Sequence, residues 1–225
     1  MVRLIALCSG GGGTIKSLHK ILNAKLETRE NSLGIVVIAD RPCGALKWAE
    51  KADGVDAMLI DWERDQNKLV KLIRTISPTV VLTLIHRILG RQLLELNEVK
   101  FINTHYSLLP SFQGSIGMKS LKRAVDSGCC VYGATTHLAT VDLDAGPIVA
   151  QVAFARKNSD SIETMEEAMF ISGCLSTYAA LLDVTENKEI GITERKSSFL
   201  TLEEREYIIS PSIRVSDAKL LSSLL

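Results

Sequence analysis

Residues 103–114 read NTHYSLLPSFQG, which places an amide, Asn103, and an imidazole, His105, two positions apart directly after a strand-like run. Residues two apart on a strand point to the same face, so the pair would be presented together. An amide and an imidazolium are suited to donate hydrogen bonds to an oxyanion growing on a carbonyl carbon. Downstream, HLATVDLDAG carries two carboxylates, Asp142 and Asp144. A carboxylate near His105 would favour the imidazolium, raise its pKa and fix the ring. Ser9 and Ser107 lack the strand–turn–helix context of a nucleophilic serine, so the pattern favours direct attack by a substrate nucleophile on an acyl carbon. His105 and His137 do not have metal-ligand spacing, and no metal is expected.

A second candidate is SGGGGT, Ser9 to Thr14, after an apolar run and before a helical pattern. A glycine turn there exposes backbone N–H groups at a helix start, where the dipole favours an anion such as phosphate. The dinucleotide fingerprint fits less well, because its third glycine position falls on Ile15. Asp40, at the end of the next strand-like run, has the position of a ribose acceptor. The plainer alternative for the glycines is a tight turn that binds nothing.

These residues need a scaffold that brings strand ends together. Runs at 3–8, 34–40, 56–61, 78–85 and 99–105 alternate with helical patterns such as Ile15, Leu18, Ile21, Leu22 and Leu26. The runs are apolar throughout, as strands covered on both faces are, and the alternation predicts right-handed crossovers and a mostly parallel sheet with helices on both faces. Two later runs, 131–139 and 146–155, are close enough to form an antiparallel pair. A long helix is predicted over 161–184, with Ile162, Met165, Met169, Leu175, Ala179 and Leu182 as its apolar face. The expected division is a catalytic domain over residues 1–184 and a carboxy-terminal extension over 185–225. That extension has room for a short helix and a strand that the pattern does not place.

Composition narrows the function classes. Lys plus Arg and Asp plus Glu are 26 each, so no global field gathers nucleic acid or an anionic membrane. No apolar run approaches the ~20 residues of a membrane span, and the apolar start is too short for a signal peptide. Cys8, Cys43, Cys129, Cys130 and Cys174 are odd in number and form no C-x-x-C, which predicts buried thiols in a reducing, cytoplasmic compartment.

NTHYSLLPSFQG followed by GATTHLATVDLDAGPIVAQ resembles the signature of the folate-dependent formyltransferases, and the likeness runs from about Val2 to Leu182. The glycine stretch and the HRIL at residues 86–89 point to the branch that formylates glycinamide ribonucleotide in purine biosynthesis. The resemblance implies the Rossmann-like formyltransferase fold and a formyl group delivered by 10-formyltetrahydrofolate. It implies a catalytic trio of Asn103, His105 and Asp144. It also implies a substrate-phosphate loop of Gly12, Gly13 and Thr14. Folate would be held by His86, Arg87, Ile88 and Leu89 on one side and by Thr140, Val141 and Asp142 on the other, with His137 in support. The partners implied are small-molecule substrates, without nucleic acid or membrane; a homodimer is compatible with this.

The sequence departs from the family in ways that bear mostly on the acceptor amine. Tyr106 replaces a common proline, and the phosphate loop ends Gly-Gly-Thr in place of Gly-Ser-Asn. Leu84 stands where a small residue is usual, and His86 where an apolar one is. The stretch between Gly114 and Gly128 is a few residues longer than usual. The helix after Asp160 lacks the Gln and Glu that usually reach the ribose phosphate, and His86 and Lys119 are the side chains expected to compensate. Alternatives are formylation of a nucleotide-linked amino sugar, or a non-catalytic folate- or nucleotide-binding protein of the same fold. Methionyl-tRNA is a less suitable acceptor, because the chain is electrically neutral.

Overall fold

The computed structural model describes residues 3–26, 34–186, 196–202 and 204–213. The chain divides into two compact units, Met1–Asn103 and Thr104–Leu225. The first runs β1 (Arg3–Cys8), α1 (Gly13–Leu26), β2 (Gly34–Ala39), α2 (Gly44–Ala49), β3 (Val55–Leu59), α3 (Gln66–Ile76), β4 (Val80–Leu84), α4 (Arg91–Leu94) and β5 (Lys100–His105), whose last two residues belong to the second unit. Its strands are parallel in the order β3-β2-β1-β4-β5. Leu4, Ile5, Ala6, Leu7 and Cys8 are all 1% exposed or less, which is why β1 reads as an unbroken apolar run. β3 lies at the edge of this order and exposes Asp56, Ala57 and Leu59. On α1, Ile15, Leu18 and Ile21 fill the core at the expected helical spacing.

This order reverses direction between β1 and β4, and open α/β sheets bind ligands at such a switch point. The loops leaving β1 and β4 are the glycine stretch and the segment around residues 86–89. Ser9 N–H donates to the Leu84 carbonyl at 3.3 Å, so the two loops start side by side.

The second unit contains α5 (Lys119–Asp126), β6 (Val131–Leu138), β7 (Ile148–Ala155), α6 (Ile162–Glu186), β8 (Ser198–Leu202) and β9 (Arg205–Ser210). Its strands pair antiparallel in the order β6-β7-β9-β8. The β6–β7 register shifts between Thr136 and His137, an irregularity of the kind that re-aims a side chain. The expected class, a Rossmann-like α/β fold with a mostly parallel core flanked by helices, is the one adopted.

α6 packs against β6, β7 and β9. Met165, Met169, Leu175 and Ala179 are buried as predicted, whereas Ile162 is 44% exposed and Leu182 is half-buried. Although no single apolar run is long enough, the segment Ile162–Thr185 reaches a mean hydropathy of 1.4, which by length and composition would suit a membrane span. It is 67% buried inside the fold, as a core helix is. Two strands stand where a short helix and one strand had room. Leu202 pairs with Arg205, and Glu204 between them takes the left-handed conformation at φ 64°. Arg205 anchors this hairpin by donating to the Ala155 carbonyl at 2.9 Å and to Asp160 at 2.5 Å, with its guanidinium over the Phe154 ring. Residues 214–225 of the extension lie outside the described residues. Of the five thiols, Cys8 and Cys174 are buried, Cys43 and Cys129 are half-buried and Cys130 is exposed, so burial holds for fewer than expected. Burial, reinforced by Cys43, pushes the Cys8 thiol up to about 12.

Candidate active site

The glycine loop is shaped by close packing. Gly12 has φ +73°, and a Cβ there would lie 2.6 Å from the Ala45 Cβ, so both the backbone and the space demand glycine. The loop is pinned to α2 by Ala45 N–H donating to the Gly10 carbonyl at 3.0 Å. In front of Gly10 and Gly11 a Cβ would meet nothing within 4 Å. Open space beside main-chain N–H groups at the start of α1 is the arrangement an anion requires. Gly13 opens the helix, and Thr14 is 6% exposed.

Asp40 does not have the free carboxylate that a ribose acceptor needs. Its side chain is 0% exposed and receives Arg41 Nε and Nη2 at 3.1 and 2.7 Å and Arg87 Nε at 2.8 Å. Burial works against its charge, but these partners and the Ser9 hydroxyl hold the carboxyl well below the usual range. In the loop after β4, His86, Arg87 and Ile88 are exposed, Ile88 by 81%, and Leu89 is half-buried. An isoleucine so fully offered to solvent suits an apolar ligand.

β5 carries Asn103 and His105. Thr83 sets the amide: its Oγ1 lies 3.0 Å from the Ile102 carbonyl and 3.2 Å from Asn103 Oδ1. The single hydroxyl proton of Thr83 is shared between these two acceptors, and the Asn103 oxygen faces Thr83 while its NH₂ points elsewhere.

Within the second unit, His105 is 5% exposed and its Nδ1 lies 3.2 Å from Asp144 Oδ2. Its Nε2 lies 3.1 Å from the Phe112 carbonyl. Asp144 Oδ2 also accepts Gly114 N–H at 2.9 Å, and His137 Nε2 stands 3.6 Å from Oδ1. His137 is oriented by its Nδ1 donating to the Leu138 carbonyl at 2.9 Å. One turn, residues 112–114, thus touches both His105 and Asp144, and Gln113 Nε2 donates to the Asp144 carbonyl at 3.1 Å. Phe112 and Asp144 sit at φ 59° and 54°, a left-handed conformation that such residues hold only when neighbours fix it.

The expected rise in the His105 pKa is not what this environment produces. Burial depresses it, outweighing the pull of Asp144 and of the Phe112 carbonyl toward the charged form. For Asp144 burial pushes upward, but the bonds from His137 and Gly114 and the neighbouring histidines hold it below the usual range. The pair is therefore an ionised carboxylate against a ring biased to neutrality. Asp142 does not join it; its side chain is exposed and its carbonyl accepts the Thr140 hydroxyl at 3.0 Å. Val141 and Leu143 in the same loop are 60% and 63% exposed.

A family model described as "Formyl transferase" matches residues 2–185. The chain belongs to the formyl transferase family. It is 32% identical over 176 residues to a phosphoribosylglycinamide formyltransferase of Mycobacterium tuberculosis, covering 76% of this chain and 79% of that one. It is 31% identical over 173 residues to the trifunctional purine biosynthetic protein adenosine-3 of Bos taurus, covering 73% of this chain and only 16% of that longer protein. Among solved structures, glycinamide ribonucleotide transformylase 1 from Symbiobacterium toebii matches with a TM-score of 0.69 at 25% identity, over 85% of this chain and 92% of that one.

Two features of this formyl transferase escape a reading of chemical residue types. Thr83 was legible only as a lone hydroxyl within VVLTLI, and the 112–114 turn only as a glycine after a proline. Tyr106, the departure beside His105, is accommodated locally. A Cβ on Gly173 would lie 2.6 Å from the Tyr106 ring, so α6 gives up a side chain to admit it, and Ser120 donates to the Tyr106 carbonyl.

Proposed function

We propose that this chain transfers a formyl group from 10-formyltetrahydrofolate to the amine of glycinamide ribonucleotide, as a cytoplasmic enzyme of purine biosynthesis whose catalytic domain is residues 1–184. The observation that carries the reading is the buried His105–Asp144 contact at the end of the strand that also bears Asn103. In the reaction the amine attacks the formyl carbon and a tetrahedral oxyanion forms. The Asn103 NH₂ donates to that oxygen. The new negative charge offsets the burial that keeps His105 neutral, so the ring takes up a proton from water; its Nδ1–H stays on Asp144, and its Nε2–H turns to the oxyanion from the Phe112 carbonyl it faces in the structure. Asp144 orients the ring and stabilises its charge; as the intermediate collapses the bond from the formyl carbon to the folate nitrogen breaks, and the amine's proton passes through water held by Asp144 to that departing nitrogen, releasing tetrahydrofolate. Gly12, Gly13 and Thr14 hold the acceptor's phosphate. His86, Arg87, Ile88, Leu89, Thr140, Val141 and Asp142 hold the pterin, with Ile88 and Val141 supplying apolar contact.

A second amine is favoured by one observation. At the start of α6, where the family's Gln and Glu would reach the ribose phosphate, Met165 and Met169 are buried in the core. An amino sugar linked to a nucleotide would use a different acceptor surface. The deciding experiment incubates the protein with 10-formyltetrahydrofolate and each amine and follows folate release. Release dependent on glycinamide ribonucleotide, with a micromolar Michaelis constant, supports the assignment. Release only with the amino sugar overturns the acceptor, and folate binding without release overturns the enzyme.

A further inference from the structure

Asp40 lies at the carboxyl end of β2, on the edge where a sheet of this kind takes its ligands, yet its side chain is 0% exposed. Both oxygens are engaged: Oδ1 by Arg41 Nε, Oδ2 by Arg41 Nη2 and by Arg87 Nε. The Asp40 main-chain N–H donates to the Cys8 carbonyl at 3.3 Å, which ties Asp40 to the residue before Ser9, and the Ser9 hydroxyl favours the ionised carboxylate. That same oxygen of Ser9 accepts the main-chain N–H of His86 at 2.9 Å. The bonds close a ring. Asp40 reaches residue 87 directly through the guanidinium, and reaches residue 86 through Ser9, so one carboxylate fixes both the first residue of the glycine loop and the first turn after β4. Arg87 is held from its other side by Glu63 at 3.7 Å.

A desolvated ion pair is weak evidence for stability, because apolar residues of the same size often do as well. It is better suited to orientation: the two donors of Arg41 fix the plane of the carboxylate, and Arg87 adds one bond to it through Nε at 2.8 Å. We infer that Asp40 is a positioning residue that sets the glycine loop and the 86–89 loop against each other, so that the acceptor and donor subsites are built together. This rests on the roles proposed above for those loops. It would couple the two subsites: whatever loosens Asp40 loosens both, although Asp40 itself touches neither substrate.

The test uses the full chain with Asp40→Asn, which keeps the size but removes the charge, and Ser9→Ala, which removes the hydroxyl and so both its tie to Asp40 and its bond from His86 N–H. In ¹⁵N-labelled protein the amide resonances of Gly10, Gly11 and Gly12 and those of Ile88 and Leu89 should shift together in both variants, more in Asp40→Asn. In steady-state assays Asp40→Asn should raise the Michaelis constants for amine and formyl donor alike by about tenfold, equivalent to ~1.4 kcal/mol each, with kcat within about threefold. Asp40→Glu should recover part of the loss. Should Asp40→Asn fail to fold, Asp40→Glu, which keeps the charge but displaces the carboxylate, carries the test through the same two sets of resonances. Shifts confined to one loop, or Michaelis constants that do not move in a folded variant, overturn the inference. Absence of formyl transfer by the wild-type chain would sink the proposed function alone, because the paired amide shifts still decide whether Asp40 joins the loops.

Discussion

The two units present chemistry to a ligand in different ways. In the first, the groups at the strand ends are mainly backbone: N–H groups of the glycine loop and the turn after β4, with the charged side chains largely turned onto one another around Asp40. In the second, the groups are side chains, with the His105 ring, the Asp144 carboxylate and the His137 ring in a chain of contacts set by the 112–114 turn. A backbone site survives changes of residue as long as the path of the chain is kept. A side-chain site does not. This would explain how Gly-Ser-Asn can give way to Gly-Gly-Thr in the proposed phosphate loop, while His105 and Asp144 match the family pattern.

The contrast breaks most visibly at the side chains. His105→Ala and Asp144→Asn should each lower kcat by about 10²–10³, the scale of losing an oxyanion donor or its orienting partner, while folate affinity measured by fluorescence titration stays within a few fold. Near-normal turnover in His105→Ala would remove the ring from the mechanism.

The matching change in the first unit acts through conformation. Gly12→Ala meets the Ala45 Cβ and must also hold φ +73°. It should cost about 1–3 kcal/mol in chemical denaturation and raise the Michaelis constant for the phosphorylated amine more than that for the donor. Adding Ala45→Gly removes the nearest atom but leaves the Cα of residue 45 at 3.0 Å and the dihedral, so the double variant should recover only part of the loss. Full recovery would show that the collision alone mattered and that the left-handed turn is not required.

The same contrast governs what could be read in advance. Strand–helix alternation and the stretches 103–114 and 131–151 gave away the fold class and brought His105 and Asp144 forward as candidates, because continuous apolar runs and motif residues at short spacing are local facts; their 3.2 Å contact came from the fold. Asp40 was misread because its position at the end of β2 is local, whereas its saturation by Ser9 and Arg87 depends on contacts 31 and 47 residues away. The His105 pKa was misread in direction for a related reason: the carboxylate was visible and the burial was not. The strands at 198–202 and 205–210 could not be placed in the extension because their pattern is settled by pairing with each other and with β7, which the local sequence does not show.

Thr83→Val offers a finer test. It removes the hydroxyl that orients the Asn103 amide while keeping the shape of the side chain. Turnover should fall by about tenfold, the price of one buried hydrogen bond at ~1.4 kcal/mol, with little change in the pH profile. No change in turnover would mean that other contacts of Asn103 suffice to hold it.

The smallest expected effect concerns protons. His105 in the fold titrates below its ordinary value of 6.5 because burial disfavours the charged ring. Above about 6.5 neither the folded nor the unfolded chain protonates this residue, and below the folded pKa both do. In between, only the unfolded chain binds the proton, so stability present at neutral pH is lost as pH falls through that window, by no more than about 1.4 kcal/mol per unit of pH. Asp144, also held below its ordinary value, adds a loss only below about 3.8, well under this range. Melting temperatures of the wild type and of His105→Gln, measured from pH 7.5 to 5.5, isolate the effect, because every other histidine is common to both proteins. The wild-type curve should sag toward low pH by more than the variant's. Parallel curves would mean that Asp144 and the Phe112 carbonyl offset burial fully, and only a wild-type curve that gains on the variant toward low pH would mean a ring already charged in the fold.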